Sequence, residues 1–192
     1  MMPDPRKRFQ ERGSSFTSCL LTVIIVFGGL GFYYFNYFQW RHFAAPLDGL
    51  TYVDGGKLSD LNMFRQSAYK SVIDPALFQL QQLKEMRKAS KYGKEPYTDL
   101  EQNSKEVRNA LLAIMNEARL RRIPKRFKKH YHEALYGIVD TFDAVNLFEE
   151  SFTAETSVTR EEIYKKSFKT AKKAERRLTN AREFFTGKDW AN

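Results

Sequence analysis

Cysteine is almost missing from this chain of 192 residues: the one thiol, Cys19, leaves no intrachain disulfide, so packing alone must hold any domain together. Glycine (10) and proline (6) are sparse. Beyond Lys57 they are read as markers of helix boundaries. No segment sustains period-two alternation of β-branched residues, so no sheet is expected. Also missing are a phosphate-cradling glycine loop, a nucleophile with a base at readable spacing and a haem-attaching cysteine pair. Gly28-Gly29-Leu30-Gly31 lies within an apolar run and cannot cradle a nucleotide. The expectation is a protein that is not an enzyme and carries no cofactor, with no internal repeat.

Charge is absent from Phe16 to Trp40 (FTSCLLTVIIVFGGLGFYYFNYFQW). At about 1.5 Å per residue, a helix of that length crosses about 30 Å of hydrocarbon. Tyr33, Tyr34, Tyr37 and Trp40 at its far end are the amphipathic rings that settle at a membrane–water boundary. Arg6, Lys7, Arg8 and Arg12 precede the run, against Asp4 and Glu11, while Arg41 and Lys57 follow it with Asp48 and Asp54 nearby. That bias predicts a cytoplasmic N-terminus (1–15), a transmembrane helix (16–40) and an extracytoplasmic remainder. A cleaved signal peptide has a shorter apolar region and a small-x-small site. At Ala44–Ala45, Phe43 and His42 occupy the position that wants a small residue, so an uncleaved anchor is expected. Cys19 reads as a small lipid-facing residue, with acylation as the alternative. Gly28, Gly29 and Gly31 leave a smooth notch that lacks the four-residue spacing of the best-known dimer motif.

Residues 41–56, with Pro46, Gly49, Gly55 and Gly56, read as a linker, and residues 57–192 as an all-α domain. A first helix is predicted from Lys57 to Ile73, with Leu58, Leu61, Phe64, Ala68 and Val72 on one face. Asp74-Pro75 reads as the N-cap and first residue of a second helix, with Leu77, Leu80, Leu83 and Met86, stopping near Gly93. Thr98 to Glu101 has capping-box spacing and opens a third, with a stripe of Val107, Leu111, Ile114, Met115 and Ala118. Pro124 is expected to start a fourth, bearing Phe127, Tyr131, Leu135, Ile138, Phe142, Val145 and Phe152. After a polar loop at 153–157, Thr159 to Glu162 repeats the capping-box spacing. The fifth helix then carries Tyr164, Phe168, Ala171, Ala174, Leu178, Ala181 and Phe185, with Gly187 at its end. Helices of this length on short loops predict an antiparallel bundle of four to five helices.

Three groups of residues are candidates for chemistry. His130 and Glu133 lie one turn apart near His132, but di-iron bundles use the reverse order from two helices, so no metal site is expected and His130 reads as solvated. Asp140 and Asp143 share a helix and read as polar-face residues rather than an acid–base pair. The basic patches say more. Arg119, Arg121, Arg122, Lys125, Arg126, Lys128 and Lys129 crowd the turn at Pro124 with no acid among them. Lys165, Lys169, Lys172, Lys173 and Arg176 fall within roughly a third of the circumference of the fifth helix. They are read either as a solvated face or as an electrostatic surface for an anionic partner.

The resulting expectation is a single-pass, membrane-anchored helical bundle in a bacterial cell envelope, acting as a binding or scaffolding module. Outside the cytoplasm nucleic acid is not an expected partner. Anionic lipid headgroups, an acidic envelope polymer or an acidic protein fit that location. The alternative is a bundle that senses a small molecule and signals through a partner membrane protein, since about fifteen cytoplasmic residues are too few for an output domain.

Overall fold

The computed structural model describes residues 43–91 and 97–187. The basic N-terminus, the charge-free run at 16–40 with Cys19 and its glycine notch, and the expected helix stop at Gly93 lie outside the described residues. No helix among the described residues is long and apolar enough to cross a membrane.

The described chain is all-α, with five helices: α1 (Leu58–Ala68), α2 (Asp74–Lys91), α3 (Tyr97–Arg119), α4 (Lys128–Thr153) and α5 (Ser157–Thr186). The stripes of α3 and α4 are buried as their periodicity requires, with Phe152 half-buried at the end of α4. On α1, Leu61 and Ala68 are buried whereas Leu58 is exposed.

The closest pairing is between α4 and α5, and its antiparallel sense follows from its contacts. Phe148 meets Tyr164, Asp140 meets Lys173 and His130 meets Phe184, so one number falls as the other rises. Small residues make the approach possible: Ala134, Gly137 and Ala144 on α4 face a side of α5 that buries Ser167, Ala171, Ala174 and Ala181. The backbones come near enough for the Ser167 hydroxyl to donate to the Ala144 carbonyl across the interface, at 2.7 Å. Gly137 therefore marks no boundary, contrary to the sequence reading: it lies inside α4, where a Cβ would stand 2.6 Å from Leu178 Cγ.

Several helix ends differ from their sequence readings for identifiable reasons. α2 begins at Asp74 as its spacing predicts, but Asp74 is itself helical (φ −63°, ψ −47°) and so is no N-cap. The chain runs from α1 into α2 without a break through a π turn at Tyr69–Ile73, where the Asp74 amide donates to the Tyr69 carbonyl. The α3 helix already includes Tyr97, so Thr98 is no N-cap, and its hydroxyl donates to Asp99. Nor is α5 capped at Thr159. Thr156 takes that role, its hydroxyl accepting from the Thr159 amide at 3.1 Å. Thr156→Ala should cost about 1 kcal/mol, read as a lower thermal midpoint. Thr159→Ala should cost less than half as much, and the reverse ranking would restore the cap to Thr159.

A short sheet is present where none was expected. Strands β1 (Thr51–Val53) and β2 (Arg122–Pro124) pair in parallel, Tyr52 opposite Ile123. Proline pushes the preceding residue toward extended backbone, and Ile123, fully buried, anchors the pair. Pro124 accordingly ends a strand rather than starting a helix. A 3-10 turn (Lys125–Phe127) follows, and α4 begins at Lys128. Residues 43–56 are likewise no free linker. Phe43 is buried and stacks on Phe142 at 3.8 Å, and Arg119 donates to the Ala45 carbonyl. Apolar surface on this segment draws it onto the bundle.

Rings from three helices and the turn before α4 meet at one end: Phe64 of α1, Phe127 of the 3-10 turn, Tyr131 of α4 and Phe184 and Phe185 of α5. Tyr131, fully buried, donates to the Ala118 carbonyl at 2.8 Å and so ties α3 to the same cluster.

Candidate anion-binding surface

The cations expected to form two patches divide, once folded, into those occupied within the protein and those left at the surface. Arg121 belongs to the first group. It pairs with Glu117 at 2.7 Å and donates to Ser67 at 2.6 Å and to Ser71, bracing the end of α3 against the π turn. Lys173 donates to Asp140 Oδ1 at 2.9 Å, and Arg177 Nη1 stands 3.1 Å from Oδ2 as an ion pair without hydrogen-bond alignment. The Asp140 side chain is 8 % exposed, so it is a buried counterion and not part of a solvated face. Asp143 is exposed; its carboxyl is pushed up from the usual range, first by partial desolvation and then by Asp140, with Lys173 acting against both.

At the turn, Arg122, Lys125, Arg126, Lys128 and Lys129 are exposed. Lys125 pairs with Asp54 at 2.7 Å, and Lys128 lies over the Tyr52 ring at 4.9 Å. Both contacts are at the surface, where such pairs are worth little and leave the charge accessible.

His130 is not solvated in the manner expected: its ring stacks on Phe184 at 3.5 Å with the two planes nearly parallel. His132 is turned to β1, its Nε2 2.6 Å from the Tyr52 hydroxyl, a geometry that suits the phenol donating to an unprotonated nitrogen. Glu133 pairs with Arg177 at 3.6 Å. His130 and Glu133 thus serve α5 at separate points and His132 serves β1, and among the described residues no three His, Cys, Asp or Glu groups converge on one point. Both imidazoles have their pKa lowered, first by desolvation, then by Lys128 for His132 or Lys129 for His130, with Glu133 opposing. An unfolded chain takes up protons there below about pH 6.5 while the folded rings stay neutral. Their stabilising contribution is therefore complete above about pH 6.5 and is lost as pH falls through the lower folded-state values. Thermal midpoints should fall between about pH 7.5 and 5, and His130→Gln with His132→Gln should flatten that dependence. An unchanged slope would assign it to carboxylates instead.

On α5, Lys165, Lys169, Lys172, Lys173 and Arg176 are all exposed, Lys173 while it also holds Asp140. Lys165 pairs with Glu161 one turn earlier, and Lys172 lies over Phe168 at 4.6 Å. Phe168 itself, expected on the apolar side, is 46 % exposed. It forms the floor of a groove of about 510 Å³ between α5 and the C-terminal half of α2. Tyr164 and Ala171 complete that floor, and Lys84, Lys88 and Lys91 of α2 stand across from Lys165 and Lys172. Glu175, the acid in the lining, is held by Lys84 at 2.6 Å.

The sequence reading missed the α2 half of this groove. Lys84, Lys88 and Lys91 recur at helical spacing, but acids and glutamines dilute them along the chain. Only the docking of α2 on α5 brings the two sets of cations together. No protein-family model matches this chain, and neither a curated protein nor a solved structure is significantly similar to it.

Proposed function

We propose that this protein is a single-pass membrane protein whose antiparallel helical bundle lies outside the cytoplasm in a cell envelope. There it binds or scaffolds an anionic partner without catalysing a reaction. The anchor is supported by the charge-free run 16–40 and the cationic residues ahead of it. The observation that carries the binding role is the α5 face, on which Lys165, Lys169, Lys172 and Arg176 stay at the surface while α2 adds Lys84, Lys88 and Lys91 beside them. Arg122, Lys125, Arg126, Lys128 and Lys129 at the Pro124 turn form a second surface; Arg121 braces the fold, and Lys173 remains half exposed on the α5 face while it holds Asp140. Lipid headgroups, an acidic envelope polymer or an acidic protein all present the required charge. Each cation near an anionic membrane contributes about 1 kcal/mol, so several acting together matter.

The test uses the full chain in nanodiscs of zwitterionic lipid, with soluble polyglutamate as the probe. Binding should weaken at least tenfold between about 50 and 300 mM salt as the Debye length shrinks, and Lys169→Glu with Arg176→Glu should weaken it further. Salt-independent binding, or none at low salt, would end the electrostatic reading. A cysteine introduced at Asn192 in a Cys19→Ser background should react with an impermeant reagent from outside; protection there would overturn the orientation.

A second reading, a bundle that senses a small molecule and passes the signal to a partner membrane protein, is favoured by the α2–α5 groove. A volume of about 510 Å³ falls within the range of small-ligand sites.

A further inference from the structure

Arg87 is the most unusual charged group among the described residues. It sits on α2 in the wall of the groove and is 7 % exposed, yet no carboxylate among the described residues pairs with it. Its guanidinium carbon lies 4.7 Å from the centres of both the Tyr164 and Phe168 rings. Nη2 reaches the Tyr164 carbonyl only at 3.5 Å, and Nε is buried with no hydrogen-bond partner. The Tyr164 hydroxyl donates back to the Arg87 carbonyl at 2.8 Å, so ring and arginine hold each other in place. Arginine does not give up its charge in proteins, and a buried charge without a counterion is costly. Desolvation lowers the Arg87 pKa accordingly. The other buried ionised group, Asp140, has two cations on it. Arg87 has two ring faces and a place in the groove wall.

The groove around it combines two features. Tyr164, Phe168 and Ala171 offer an apolar floor, while Lys84, Lys88 and Lys172 rim it; Lys84 is paired with Glu175, and Lys88 with Glu85 at 3.0 Å in an exposed pair that leaves its charge accessible. A bilayer is met by protruding cations and apolar residues; a concave floor with charge at the rim takes a molecule that enters it. A purely ionic ligand would leave the Phe168 surface wet, and a neutral apolar one would leave Arg87 without its counterion.

We propose that the α2–α5 groove binds a small amphiphilic oxyanion from solution. Its carboxylate or phosphate is taken by Arg87 with Lys88 and Lys172, and its apolar portion lies against Phe168, Tyr164 and Ala171. The inference rests on the anion-binding reading and names the class of partner that one of its surfaces takes. A guanidinium held between two rings has its donors already oriented, which lowers the entropic cost of capturing an oxyanion.

The test is calorimetric titration of the full chain in nanodiscs of zwitterionic lipid, with empty nanodiscs as the blank. The probes are octanoate, octyl phosphate, inorganic phosphate and octanol. Saturable binding of octanoate or octyl phosphate near one per chain is expected, with octanol and inorganic phosphate at least tenfold weaker. Arg87→Gln should reduce octanoate affinity at least tenfold, and Arg87→Lys should not restore it fully, because an ammonium lacks the planar fork. Phe168→Ala, at a site already 46 % exposed and so tolerant of truncation, should also weaken octanoate while leaving polyglutamate unaffected. Equal binding of octanoate and octanol, or octanoate affinity indifferent to both Arg87→Gln and Phe168→Ala, would overturn the proposal. So would binding seen only when the nanodiscs carry anionic lipid in place of free probe. Salt-sensitive polyglutamate binding that persists without octanoate binding would sink this inference alone; loss of both would sink the broader reading with it.

Discussion

Phe127→Ala is expected to remove about 3–5 kcal/mol of folding stability, a large fraction of the roughly 5–15 kcal/mol that a typical domain has. Phe127 is fully buried where the chain enters α4, its ring 5.6 Å from Phe185 and 5.3 Å from Phe64. Truncation leaves a cavity bordered by rings from α1 and α5, which cannot all move inward without giving up other contacts. Tyr131, which packs on Phe64 and Phe185, stays tied to the Ala118 carbonyl through its hydroxyl, so relaxation of those rings is restricted. The measurement is urea denaturation of the full chain in non-ionic detergent, followed by far-ultraviolet circular dichroism. A loss below about 1 kcal/mol would mean that the aromatic cluster does not carry this end of the bundle.

Substitution at Gly137 should be nearly as damaging, in the opposite physical sense. Glycine inside a helix ordinarily costs about 1 kcal/mol relative to alanine, so an isolated α4 would be strengthened by Gly137→Ala. In the folded protein the added Cβ would stand 2.6 Å from Leu178 Cγ and 2.9 Å from Cδ2, with Arg177 Cβ at 3.4 Å. Leu178 is fully buried and has nowhere to withdraw. Overpacking of this kind costs about 1–3 kcal/mol, so Gly137→Ala should be destabilising on balance, and Gly137→Leu should cost about 3 kcal/mol or more. A double-mutant cycle separates the two effects. Combined with Leu178→Ala, the Gly137→Ala change should become stabilising, because only the propensity gain is left. A Gly137→Ala protein as stable as the parent, with no coupling to Leu178, would show that α4 and α5 do not approach this closely.

Both effects fall where local sequence cannot see the neighbour. Reading Gly137 as a boundary residue follows from helix propensity; its actual use follows from Leu178, forty-one positions away in the chain (178 minus 137). The same holds at the candidate site. The cations of α5 were legible as one face, because helical periodicity places them together whatever the helix packs against. Arg87 was not, since nothing in its local sequence distinguishes an arginine held between two rings from one in water. The contacts of Arg121 and Lys173 within the fold were not legible for the converse reason. Their partners, Ser67 and Asp140, lie on other helices.

The amino-acid sequence by itself determined the helical class, the stripes of α3 and α4 and nearly all of the helix boundaries to within a few residues. Those properties depend on intervals of three and four residues and on proline's effect on its immediate neighbours. Tertiary structure decided the parallel pairing of Thr51–Val53 with Arg122–Pro124, the close approach at Gly137 and the burial of Asp140. It also decided the meeting of α2 with α5 around Arg87. These depend on which surfaces exclude water together, a property of residues far apart in the chain that no local spacing encodes.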